Sequence, residues 1–351
     1  MCKADPADPT HRMDRTASPP DAPRRRWVLS GARIALAAAV FKSAAARAQT
    51  EADLNGQGMP YAAFDRLPFE RVEVGDALIR VAFGPGEFEI ARGRIVEHVR
   101  RSARAVAVYF GRFPARTARV LILSTEAPGR PIRSGTAFGY AGAAIKLTLS
   151  ASVRETDLER DWILVHEMCH LALPSLPRRQ HWFEEGMASY VEPFARAQAG
   201  ALAIAQVWRD LASGLPQGLP QAGDQGLEHT FTWGRTYWGG ALFCLLADVR
   251  TRQATAGERG LQHALRAMLA QANIESDSTL ETLLAIGDRA CGTDVLSTLH
   301  AQMKNDPHPV DLDALLASLG VRMTGGRVSF DDAAPLARIR IALTQPPTAP
   351  R

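Results

Sequence analysis

The sequence predicts an α+β fold, with a mixed α/β part over residues 60–150 followed by a mainly helical part over 151–320. Three observations carry that prediction. β-rich runs bounded by turn residues, such as "ARVLILS" and "AIKLTLS", fall in the first part. From Ser152 onward the apolar residues recur at helical spacing instead. The chain is 46% hydrophobic over 351 residues, enough to bury a full core or two modest ones.

The first segment, residues 1–48, reads as an export signal. It carries nine Lys or Arg against four Asp, while the whole chain is only +4. The basic sequence pI, about 9.0, is thus a property of the leader, and a nucleic-acid partner is not expected. "RRRWVL" is followed by the apolar "IALAAAVF", and Ala46 and Ala48 fit a small-residue cleavage site before Gln49. Arg24 and Arg25 have the form of a twin-arginine pair, so a periplasmic or extracellular location is expected. The apolar run is far short of the roughly 20 residues that span a bilayer, so no stable transmembrane anchor is expected. Residues 49–59 form a polar linker.

In the α/β part, "VEVGDALIRVAFG" reads as strand, turn and strand, with Gly75-Asp76 as the turn signal. "EFEIARGRIVEHVRRSARAVAVYFG" places Ile95, Val99, Val106 and Phe110 on related faces of a helix. "GRPIRSGTAFGYAGA" reads as a Gly-punctuated loop between two strands. In the helical part, Ser152 and Glu155 have capping-box form and Pro174 is a stop, which predicts one helix over about 153–172. Helices follow at "QHWFEEGMASYVEPF" and "ALAIAQVWRDLAS". Residues 214–234, rich in Gly and Pro, read as a long surface loop, a lid or binding segment. Further helices run to about Leu319, and "GGRVSF" with "ARIRIALT" predicts a small β element in the tail, 321–351. Cys169, Cys244 and Cys291 lack metal-type spacing and read as buried thiols, with a Cys244–Cys291 pair as the alternative.

The chemistry is concentrated in "DWILVHEMCHL". His166, Glu167 and His170 match H-E-x-x-H. Residues four apart on a helix lie one turn along and about 40° around, so both imidazoles can face one ion. Glu167 sits close enough to reach a water at that ion without ligating it. Two neutral nitrogens for Zn²⁺ and a carboxylate to take the proton are what a zinc hydrolase needs. A catalytic zinc also wants a third protein ligand, and "HWFEEGMASYVE" offers Glu185, its neighbour Glu184, and more weakly His181. Fifteen positions separate His170 from Glu185, room for a turn and a returning helix, and Gly186 allows that helix to approach closely. Cys169 points away and reads as packing.

H-E-x-x-H followed by W-x-x-E-G-x-x-x-Y resembles the gluzincin zinc peptidases, most of all the membrane-alanyl and glycyl aminopeptidase groups and their peptidase MA-like relatives. The resemblance covers roughly residues 130–275. It implies a thermolysin-like catalytic domain holding one Zn²⁺ per chain, with His166, His170 and Glu185 as ligands and Glu167 as the base. It also implies a second-shell role for Glu192, two turns beyond Glu185. "TYWGG" is similar to the family's oxyanion-stabilising tyrosine motif, which falls on Tyr237; Arg235 and His229 are the alternatives. One departure stands out. The aminopeptidase members carry an acid, on a strand before the zinc helix, that binds the substrate's free amine. The comparable residues 138–150 contain none. The expected function is therefore an exported zinc peptidase acting on peptides or proteins, an endopeptidase or processing protease more than an aminopeptidase. The alternative is a non-catalytic, zinc-containing protein of cell-envelope binding or assembly.

Overall fold

The computed structural model describes Leu54 and residues 56–345. The expected export signal, most of the linker and residues 346–351 lie outside the described residues. Among the described residues no helix is long and apolar enough to cross a membrane.

After a short helix, α1 (Tyr61–Phe64), the chain makes the hairpin β1 (Phe69–Val74) and β2 (Ala77–Phe83), turning at Gly75-Asp76 as its turn chemistry predicts. Helix α2 (Arg92–Phe110) crosses over to β3 (Thr117–Thr125), which lies parallel to β2. A parallel pair needs such a crossover, and Ile95, Val99, Val106 and Phe110 supply its buried face. The sheet is completed by β4 (Ile132–Phe138) and β5 (Ala144–Ser150), in the order β1-β2-β3-β5-β4.

Strand β4 corrects the expected loop over "GRPIRSGTAFGYAGA". It pairs antiparallel with β5 along its length and forms the sheet edge. Its alternation is hidden because the face turned to the next layer carries Gly135, where a larger side chain does not fit.

The single helix expected over 153–172 is two. Helix α3 (Glu155–Arg160) stops, and α4 (Ile163–His170) begins after a break at Asp161 and Trp162. The Ser152–Glu155 capping box does not form; the backbone N–H of Arg154 donates instead to the Asp157 carboxylate at 2.9 Å. Helices α5 (His181–Gln198) and α6 (Ile204–Gly214) follow. A π-helical turn (Gly234–Gly239) then leads into α7 (Gly240–Ala254), α8 (Leu261–Gln271), α9 (Leu280–Cys291), α10 (Val295–Met303) and α11 (Leu312–Ser318).

The tail is half as expected. β6 (Val321–Thr324) and β7 (Arg327–Phe330) form a hairpin, but "ARIRIALT" is a helix, α12 (Ala337–Thr344). Its Ile residues suggest a strand, yet Ala337, Arg340 and Leu343 recur every three residues and are all buried. One apolar core runs from the inner face of the sheet through α2 and into the helices. A smaller cluster around Leu54, Phe64 and Leu121 covers the opposite face.

Candidate active site

Helix α4 is only eight residues long, and its start is built by one side chain. The Asp161 carboxylate accepts hydrogen bonds from the backbone N–H of Ile163 at 2.8 Å and of Leu164 at 3.3 Å. It also meets His98 Nε2, on α2, at 2.9 Å. A carboxylate capping two orphan amides stabilises a helix start by about 1 kcal/mol, and here it ties that start to the core helix behind it.

One turn on, His166 Nε2 lies 3.2 Å from His170 Nε2. Glu185, on α5, brings Oε2 to 3.1 Å from His166 Nε2 and 3.5 Å from His170 Nε2. The metal-binding atoms of these three residues all lie within 4.8 Å of one another. Helix α5 reaches this position because it crosses α7 closely at two glycines. A methyl group placed on Gly186 would sit 2.2 Å from Gly240 Cα.

Glu184 turns the other way, its Oε1 accepting from the Leu176 backbone N–H at 3.1 Å. His181 contacts both acids, with Nδ1 at 3.0 Å from Glu184 and Nε2 at 3.2 Å from Glu185 Oε1. It is thus a clamp on the far oxygen of Glu185, not a fourth inward-facing group. The readable signal was its spacing, three and four residues ahead of two acids on one helix. Those bonds, to Glu184 first and Glu185 second, push His181 up to about 10. Burial works to raise the Glu185 carboxyl, but bonds from His166, His170 and His181 hold it well below the usual carboxylate range.

Glu167 lies against the edge strand. A methyl on Gly135 would stand 2.5 Å from its Cγ, so glycine is what lets the helix lie on β4 here. Burial raises the Glu167 carboxyl, opposed by the fields of His170 and His166 and by a bond from the Ala137 backbone. Tyr237 sits in the π-helical turn, its ring stacked at 6.3 Å on His166 with 17° between planes. Burial first, and the charge of Glu185 next, push its phenol up to about 12.

The other candidates lie apart from this cluster. Glu192 is buried on α5 but bonds Arg196 at 2.7 Å and neither histidine. Burial pushes its carboxyl up to about 7. His166 Nδ1 is buried without a hydrogen-bond partner among the described residues. Arg235 is held by Asp224 at 2.7 Å and by the Gly218 carbonyl, and His229 meets Asn305 at 3.2 Å. These contacts fasten residues 214–234, and so do two backbone bonds, Leu227 N–H to Met303 O and Glu228 N–H to Lys304 O, at 2.8 and 2.9 Å. Within this stretch Phe231 and Trp233 are large apolar side chains that stand out into solvent. Cys169, Cys244 and Cys291 are free and buried, so the alternative Cys244–Cys291 pair does not form.

A second group, Glu228, Glu281 and His300, also lies close together. His300 Nε2 meets Glu228 at 2.8 Å, and the Gln180 amide donates to both acids at 3.3 Å. Each acid already has its partner, and the group anchors the turn that precedes α5.

No family model matches the sequence, and neither does any curated protein. Solved structures do match. An aminopeptidase N family protein from Idiomarina loihiensis is 16% identical with a TM-score of 0.56, over 73% of this chain and 49% of that one. An M1 zinc metallopeptidase from Deinococcus radiodurans is 20% identical with a TM-score of 0.43, over 69% and 53%. The chain spans about half the length of these structures. In fold, this chain is similar to the aminopeptidase N family protein, in keeping with the gluzincin resemblance of its motif.

Proposed function

We propose that this chain is an exported zinc-dependent peptidase that hydrolyses bonds within peptides or proteins. The observation that carries the reading is the convergence of His166 Nε2, His170 Nε2 and Glu185 Oε2, with Glu167 on the same turn. The donor set fits zinc. Two imidazole nitrogens 3.2 Å apart cannot both carry a proton toward each other, and the third group is an acid held ionised. A cation shared among the three resolves that arrangement. When bound there, Zn²⁺ acts as a Lewis acid that makes a water acidic enough to attack at neutral pH.

The chain's own groups supply the rest. Glu167 stands beside the cluster and takes the proton of the attacking water, then passes it to the departing amine. A carboxyl raised by burial suits both halves of that task. Tyr237, whose phenol stays protonated at neutral pH, donates a hydrogen bond to the developing oxyanion. The edge strand β4 offers backbone groups along which an extended peptide can lie. Its residues Ile132–Phe138 include no acid, and neither do residues 139–143. A free substrate amine has no countercharge there, which supports endopeptidase or processing activity over aminopeptidase activity.

Glu167→Gln tests the reading. The zinc-loaded variant should keep about one zinc per chain by elemental analysis while hydrolysis of a denatured protein falls by about 10²–10⁴-fold. If wild type and variant both hold zinc and are equally inert across broad peptide panels, the chain is a zinc-containing binding protein and the peptidase reading is wrong.

A further inference from the structure

A cavity of about 830 Å³ opens directly from the His166–Tyr237 wall of the site. Trp162 and Trp233 line it while 48% and 59% exposed, far above what two tryptophans adopt in a core. Both are aimed by the site itself. Trp162 meets His166 edge-on at 5.6 Å, and Trp233 stacks on Tyr237 at 5.6 Å. The lining also carries three carboxylates, Glu159, Glu192 and Asp210, against two guanidinium groups, Arg160 and Arg196.

The charges are unequally matched. Arg196 is bound to Glu192, and Arg160 lies in the field of Asp157 outside the cavity. Asp210, exposed on α6, accepts the neutral Gln206 amide at 2.6 Å and lies in the fields of Arg209 and Arg196 without touching either. Neither Asp210 nor Glu159 has an ion pair among the described residues. Asp210 also adds to the forces that raise Glu192, so the acids crowd one another and a third cation would relieve them.

We propose that this cavity is the specificity pocket of the peptidase, and that it takes an arginine or lysine side chain of the substrate, the stem along the wall that Trp162 and Trp233 flank and the charged head at Asp210. The assignment rests on the peptidase reading above. Aromatic faces attract a cation as well as an alkyl stem, and a carboxylate without an ion pair on the same lining selects the charged head. The volume exceeds one side chain, so the neighbouring substrate residue shares the space.

The experiment compares two peptides that differ only in arginine against citrulline, its neutral isostere, at the varied position flanking the cleaved bond. Zinc-loaded wild type should cleave the arginine peptide with kcat/KM about ten-fold higher, the scale of one charge-assisted hydrogen bond. Asp210→Asn should bring that ratio close to one, and added salt should erode it in wild type. Equal cleavage of both peptides by wild type, or an undiminished ratio in Asp210→Asn, overturns the pocket assignment and leaves the peptidase reading standing. Binding of the same peptides to Glu167→Gln, followed by tryptophan fluorescence, separates the two ideas in the other direction. Preferential binding of the arginine peptide by a protein whose wild type cleaves nothing upholds the pocket and rejects the peptidase. Equal binding of both peptides, without cleavage, rejects both.

Discussion

Glu192 shows how little a helix period says about chemistry. Seven residues put it on the same face as Glu185, as its spacing predicts, yet it bonds Arg196 instead of His166 or His170. Its charged form is disfavoured by burial, which pushes its carboxyl from the usual 4.5 up to about 7. A raised carboxyl contributes stability that is complete below pH 4.5 and is lost as pH rises through about 7. The loss is on the order of 3 kcal/mol. Glu192→Gln should therefore show a smaller fall in melting temperature between pH 5 and pH 8 than wild type, although its absolute stability drops because Arg196 is left buried without a counter-ion. An unchanged slope across that range would place the titration elsewhere. His166, Glu167 and His170 were legible because one helical turn relates them. Glu185 was not separable from Glu184 by residue type alone, since the choice depends on where His181 and the Leu176 amide stand.

At the level of elements, helix α4 and strand β4 form one unit joined at Gly135. The strand was illegible because the residue that permits the contact is also the one that breaks its β pattern. A methyl there would stand 2.5 Å from Glu167 Cγ and 2.8 Å from Ile163 Cγ2. Gly135→Ala should push α4 off the sheet edge, costing about 1–3 kcal/mol as overpacking does. Hydrolysis should fall by about 10²-fold, because a shift of the order of 1 Å in the base is enough. Wild-type turnover with an unchanged denaturation midpoint would mean that the contact is not limiting. The helix break was hidden for a related reason. Apolar periodicity runs through Asp161 uninterrupted, and only His98, more than sixty residues earlier, reveals that this acid caps a new helix.

For the molecule as a whole, the division into an α/β part and a helical part was readable, while the joining of the two was not. Long-range packing of α2 against α4 makes one core of both, and no local pattern announces it. Delivery of the protein is also a whole-chain property, proposed from "RRRWVL" alone. Replacing Arg24 and Arg25 by Lys should hold the protein inside the cytoplasm, as fractionation would show; an unaltered export yield would mean that a different route carries it.

Asp161 deserves its place in that picture because of what it connects. An eight-residue helix is too short to persist alone in water, so the turn that carries His166 and His170 exists only while its neighbours brace it. The brace at its head is the same carboxylate that grips α2, the longest helix behind the sheet. Whatever loosens the grip of Asp161 on His98 therefore also frees the start of the helix that sets His166 and His170 side by side.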